Sequence, residues 1–232
     1  MLTWLWLMVG FVSIAGCVAE DPDDVVRCVP GAGATGSPRT ITEAVSLMDS
    51  LPKPTSVACF VESLDRPLRV EATYSIVSAQ PAAGKRSPRI FAFYEPLILS
   101  LALDGDGRNL VELSEATVSN HTTKGEIAFP IDGPVTVADA FERVALDPGP
   151  PSTSCGFCHR EESPSNLYDQ GFSSLALKPL VDTLVPIDRI REEHALCDAE
   201  AEPERCRYLD ALVAPGPLVH QAFPEAYPTL GE

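Results

Sequence analysis

Leu68-Arg69-Val70-Glu71-Ala72-Thr73-Tyr74-Ser75-Ile76 alternates apolar and polar side chains without a break. Because successive side chains on a strand point to opposite faces, this pattern reads as a strand buried on one side. Downstream, Ile90–Tyr94, Leu97–Leu103, Leu110–Leu113 and Gly125–Ile131 continue as short β-prone runs, with the change of periodicity setting in from Val57. Turn chemistry separates them at Pro81–Pro88, Asp104–Asn109 and Ser119–Lys124. Five or six strands at this spacing predict an antiparallel β-sandwich or small barrel.

Helical signals flank the β-rich region. On the N-terminal side, Thr40 and Glu43 form a capping-box pattern ahead of Ile41, Ala44, Met48 and Leu51, a short helix that ends before Pro52. On the C-terminal side, Thr136–Leu146 reads as a helix with Val137, Ala140, Phe141 and Val144 inward. Asp147-Pro148-Gly149-Pro150-Pro151 breaks the chain and is the best internal boundary. Two further helices are expected near 186–197 and 203–213, each opened by a proline. The expected fold is therefore mixed and β-rich, with a β-rich domain over 40–147 and a small, irregular, mostly helical module over 148–232.

The chain has 232 residues, 45% of them hydrophobic, enough for one large or two small domains with a core. Lys+Arg 17 against Asp+Glu 33 gives a net charge of −16, which argues against nucleic acid as a partner, since phosphate binding needs a cationic face. The acidity reads as a solvated surface that can also steer a basic partner. No G-x-S-x-G or Walker-type loop occurs, and no carboxylate pair stands out for acid/base work. Asp104-Gly105-Asp106-Gly107-Arg108-Asn109 begins like a calcium loop, but Arg108 sits where an oxygen ligand belongs, so a hairpin turn is expected. Asn120-His121-Thr122 matches the glycosylation triplet.

Residues Met1 to Gly16 carry no charge and are rich in Leu, Val and Trp. This run falls short of a membrane span and reads as a secretory signal segment over 1–16. It ends in Ile14-Ala15-Gly16-Cys17, which resembles the lipobox of bacterial lipoprotein precursors. The resemblance implies cleavage before Cys17, acylation of its thiol, and an anchored protein in the bacterial cell envelope, periplasmic or outer-membrane facing. Glu20-Asp21-Pro22-Asp23-Asp24 and the Gly/Ala/Pro-rich residues that follow then make 17–39 an acidic tether and loop.

Six cysteines remain beside Cys17, an even number in an oxidising compartment. Cys197 shares a helical face with Ile187 and Ile190, and Cys206 one with Leu209 and Leu212, so a disulfide would staple two helices. Cys28 and Cys59 can then tie the N-terminal loop to the first strand.

Cys155-Gly156-Phe157-Cys158-His159 is left. It resembles the attachment motif of c-type cytochromes. The resemblance implies one haem c, held by thioether bonds from Cys155 and Cys158, with His159 as the proximal axial ligand. It also implies one-electron transfer as the function, with the protein a carrier more than an enzyme. No methionine follows the motif, since the three are Met1, Met8 and Met48. His194, on the inward stripe of its helix, is the first candidate for the sixth iron position, with His220 weaker and His121 and Met48 weaker still. Two other readings of the pentad stay open: a local Cys155–Cys158 disulfide or thiol-exchange pair, and zinc held by both thiolates and the imidazole. Under either, the chain is a non-redox envelope lipoprotein with a β-sandwich module for binding or structure.

Overall fold

The computed structural model describes residues 28–78, 80–118, 120–147 and 151–230. The signal segment, the lipobox with Cys17, and the acidic start of the tether lie outside the described residues. Within them the fold is mixed and sheet-rich, as expected. The strands form one eight-stranded sheet that does not close into a barrel, in the order β6-β7-β5-β4-β3-β2-β1-β8.

Its centre is the meander read from the alternating runs: β1 (Leu68–Thr73), β2 (Arg89–Tyr94), β3 (Leu97–Ala102), β4 (Leu110–Ala116) and β5 (His121–Ala128), each antiparallel to the next. The register lines up Val70, Ala92, Leu99, Leu113 and Gly125 across the five strands. Residues at this parity make the main face, and Leu68, Ile90, Leu97, Leu101 and Val111 on it are wholly buried.

Helices cover that face. α1 (Ile41–Ser50) is capped by the Thr40 hydroxyl, which accepts from the Glu43 amide at 3.1 Å. The return bond of the capping pair goes from the Arg39 amide to the Glu43 carboxylate at 2.6 Å, one residue before the position a capping box uses. α3 (Val137–Glu142) carries the full reciprocal box between Thr136 and Asp139. α4 (Ile187–Ala195) and α5 (Pro203–Val213) bury Ile187, Ile190, Leu209 and Leu212 in the same core. Gly125 is where α3 comes closest to the sheet: a Cβ there would lie 3.1 Å from the Ala140 carbonyl oxygen.

Four expectations need correction. The β pattern does not begin at Val57, because Val57–Glu62 is a helix, α2, whose Ser56 hydroxyl accepts from the Cys59 amide. The Cys28–Cys59 disulfide therefore ties the N-terminal loop to a helix and not to the first strand. The second hairpin turn is tighter than Ser119–Lys124. Asn120 takes the left-handed conformation (φ 60°) there, and the polar run His121–Lys124 already belongs to β5. Those side chains read as turn residues because they are polar, yet Thr122, Thr123 and Lys124 are all buried. Finally, the strands share one sheet, with no second sheet stacked upon it.

Residues beyond the Pro-rich break enter the same sheet at both edges. β7 (Phe172–Leu175) pairs with β5, β6 (Ser163–Pro164) pairs with β7, and β8 (Leu218–His220) runs parallel to β1. The Asp104–Asn109 segment is the expected β3–β4 hairpin turn. Arg108 there pairs with Glu204 at 2.8 Å, which puts a cation where a calcium loop would hold oxygen.

The Cys197–Cys206 disulfide joins the end of α4 to α5, as their facial spacing implied. The longer Cys28–Cys59 loop, with a sequence separation of 31, constrains more of the unfolded chain. Cys28→Ser with Cys59→Ser is expected to cost about 3–4 kcal/mol by loop entropy, read as a lowered urea midpoint against the oxidised protein.

Candidate functional site

The opposite parity of the meander builds the second face. It sets Arg89 and Phe91 of β2, Ile98 and Ser100 of β3, Glu112 and Ser114 of β4, and Thr122 and Lys124 of β5 on one surface. Residues 154–159, 176–179 and 223–230 cross over it and enclose a pocket of about 150 Å³. Cys155, Cys158 and His159 all line this pocket.

One wall is apolar: Phe91, Ile98, Ala176, Phe223 and Tyr227. Phe223 stands edge-on to Phe91 and Phe93, with ring centroids 4.8 and 5.0 Å away. The floor is charged. Arg89 pairs with Glu112, donates to the hydroxyls of Ser78 and Ser100, and lies over the Phe91 ring. Lys124 is buried beside it, and its ammonium donates to the Thr122 hydroxyl at 2.8 Å and the Ser174 hydroxyl at 3.0 Å. It also reaches the carbonyls of Ser174, Thr122 and Leu175 at 3.1–3.3 Å. Burial pulls the Lys124 ammonium down to about 8.

The Cys155–His159 pentad is held by its neighbours. Thr153 bridges to Ala145 and gives both its amide and its hydroxyl to the Glu162 carboxylate. Ser154–Phe157 is a single 3₁₀ turn, closed by bonds from the Cys158 and His159 amides to the Cys155 carbonyl at 3.2 and 2.8 Å. Gly156 packs on the Glu162 carboxylate, where a Cβ would sit 3.1 Å from an oxygen. The two thiols are free, while the other four cysteines among the described residues are in disulfides.

The thiols differ in setting. Cys155 is part-buried, and its pKa is pushed up to about 11, chiefly by burial, while Cys158 is exposed. At pH 8 on the order of one Cys155 in a thousand is therefore thiolate. Iodoacetamide at that pH is expected to label Cys158 well before Cys155, as followed by peptide mass spectrometry. Equal rates would contradict this description of the site.

The imidazole is oriented. His159 Nδ1 lies 2.7 Å from the Leu175 carbonyl oxygen. A carbonyl only accepts, so Nδ1 carries the proton and the lone pair is on Nε2. Burial, followed by the nearby Lys124 charge, pulls the ring down to about 4, so it is neutral at pH 7. A neutral ring with Nδ1–H fixed on a backbone carbonyl is the arrangement a metal-ligating histidine takes.

The other expected ligands are elsewhere. His194 lies on α4, whose inward residues join the main core, and its Nε2 contacts Asp210 at 2.7 Å. His220 is exposed on β8 and meets Glu71 at 3.5 Å. His121 pairs with Glu161, and Met48 is wholly buried in the main core. None of the four lines the pocket that holds His159. Ile187 and Ile190, the inward residues of that helix, pack into the core on the other side of the sheet from the pocket, and His194 is only partly buried beside them.

Arg89, Lys124, Phe223, Tyr227 and the Leu175 carbonyl escaped the sequence reading. Only Lys124 left a trace there, as a charge one step beyond a β-branched pair. Among the described residues no three His, Cys, Asp or Glu side chains gather as a metal cluster, which leaves zinc without its further ligands. The raised Cys155 thiol is likewise the reverse of what a thiol-exchange nucleophile needs. Two free thiols and an oriented neutral imidazole lining one pocket are the donor set that a covalently held haem would use.

No protein-family model, curated protein or solved structure matches the chain.

Proposed function

We propose that this protein carries one c-type haem, bonded to Cys155 and Cys158 and ligated by His159, and passes single electrons in the bacterial cell envelope, anchored there by a lipid on Cys17. What carries the reading is one observation: the free thiols and the His159 ring, fixed on the Leu175 carbonyl, line the same pocket. The haem supplies a centre that gains and loses one electron.

The chain's own residues do the rest. Leu175 holds the His159 ring in the tautomer that presents Nε2, and the Phe91, Phe223 and Tyr227 wall excludes water. Thr153 and Glu162 set the turn that spaces the two thiols. Phe157 is 80% exposed beside the exposed Cys158, which puts this end of the pocket at the surface where a partner can approach. Net charge −16 favours a basic partner protein that delivers or accepts the electron. With His194 and His220 engaged by Asp210 and Glu71, the reading does not rest on a second histidine ligand. No helix among the described residues is long and apolar enough to cross a membrane, and the anchoring proposed here rests on the lipobox resemblance at Cys17.

The test is expression of the full chain in a bacterium with haem-c maturation. A Soret band, with peroxidase-stained haem that survives denaturing electrophoresis, is the expected result. A colourless protein would overturn the reading and leave a non-redox envelope lipoprotein.

A further inference from the structure

We propose that Lys124 is the positioning residue that raises the reduction potential of the group held at His159, by lodging in the pocket floor a positive charge to which no carboxylate is hydrogen-bonded. The proposal rests on the electron-transfer reading above and names what regulates that same site.

Three observations carry it. First, Lys124 Nζ and His159 Nδ1 converge on one acceptor, the Leu175 carbonyl oxygen, at 3.3 and 2.7 Å. The ammonium is thus one shared oxygen away from the axial imidazole, in the outer shell that tunes a ligating histidine. Secondly, its five hydrogen-bond partners are neutral hydroxyls and carbonyls of Thr122, Ser174 and Leu175. The two carboxylates nearby bond to other groups, Glu112 to Arg89 and Glu162 to the neutral Thr153, so they offset the ammonium only through space. Thirdly, its side chain is buried, where a charge is screened less than at the surface.

The consequence follows from charge. One electron arrives from a reduced one-electron donor protein, which is oxidised as the site is reduced, and the site becomes more negative by one unit. A fixed cation stabilises that state over the oxidised one. By polarising the Leu175 carbonyl away from Nδ1–H, the ammonium also weakens the donation that would make the imidazole a stronger ligand for the oxidised centre.

The experiment is a spectroscopic redox titration of the loaded full-length protein. Lys124→Gln keeps donors for Thr122 and Ser174 and removes the charge, and Lys124→Arg restores the charge. The glutamine variant is expected to shift the oxidised-to-reduced ratio at fixed poise by about tenfold toward oxidised, which is about 59 mV lower for a one-electron couple. The arginine variant is expected to stay near wild type. Equal potentials for wild type and Lys124→Gln would overturn the proposal while leaving the haem in place. If the glutamine variant does not fold or load, Glu112→Gln decides: with Arg89 no longer neutralised, the potential should rise, and an unchanged value overturns the idea that this floor sets it. A wild-type chain that binds no haem would overturn the parent reading instead.

Discussion

The double substitution Cys155→Ser, Cys158→Ser is expected to abolish covalent haem attachment completely while leaving the fold intact. Both thiols are free, and Cys158 is exposed, so neither holds the chain together. The turn around them is set by the Thr153–Glu162 bonds and by backbone contacts to the Cys155 carbonyl, none of which uses a sulfur. The stability change should stay within about 1 kcal/mol, the range for substitutions that break no buried network. Loss of peroxidase-stained haem with an unchanged urea midpoint is the combination to look for. A large fall in stability would mean that the pair is a structural staple. His159→Ala should act differently, since it leaves the thioether attachment sites and removes only the axial imidazole: haem should stay covalently bound with an altered spectrum.

The largest effect on stability is expected at Arg205, far from the pentad. Its guanidinium, about 5% exposed, donates to Glu193, Glu202, the Ser87 hydroxyl and the Arg86 carbonyl, and lies 3.5 Å from the Cys197 sulfur. Glu193 is equally buried. Burial pushes its carboxyl up, but Arg205, Arg86 and Arg189 outweigh burial and hold it below the usual carboxylate range. Arg205→Met would leave Glu193 paired with Arg86 and Arg189, but it would strip the buried Ser87 hydroxyl, the Arg86 carbonyl and one Glu193 oxygen of a donor. Each buried acceptor left without a donor costs about 1–3 kcal/mol. A melting temperature lower by roughly 10 °C is expected, with haem attachment unaffected.

Legibility of the chain follows from where polarity and burial agree. The five meander strands were readable because Leu68, Val70 and Ala72 face the core while Arg69 does not. The hairpin at Asp104–Asn109 and the α4–α5 disulfide were readable from turn residues and facial spacing. α2 was not, because six residues give too little periodicity to separate a helix from a strand. β5 was cut short because Thr122, Thr123 and Lys124 are buried polar residues: Thr122 accepts from Ser114 and Lys124, while Thr123 and Lys124 are satisfied by Ser165, Ser173 and Ser174 some 40 to 50 positions away. The pentad itself was plain. Its surroundings were not, since the pocket is assembled from β2–β5 and two later segments whose meeting depends on long-range pairing. For the same reason His194 could be assigned a face but not a side of the sheet.

The most direct measurement is intact and peptide mass spectrometry of the mature protein from a haem-c-competent bacterium, after denaturation. The account predicts that the peptide spanning 155–159 carries the added mass of one porphyrin with its iron, bonded at both cysteines. A Cys155–Cys158 peptide of unmodified mass, or one joined only by a disulfide, would contradict it.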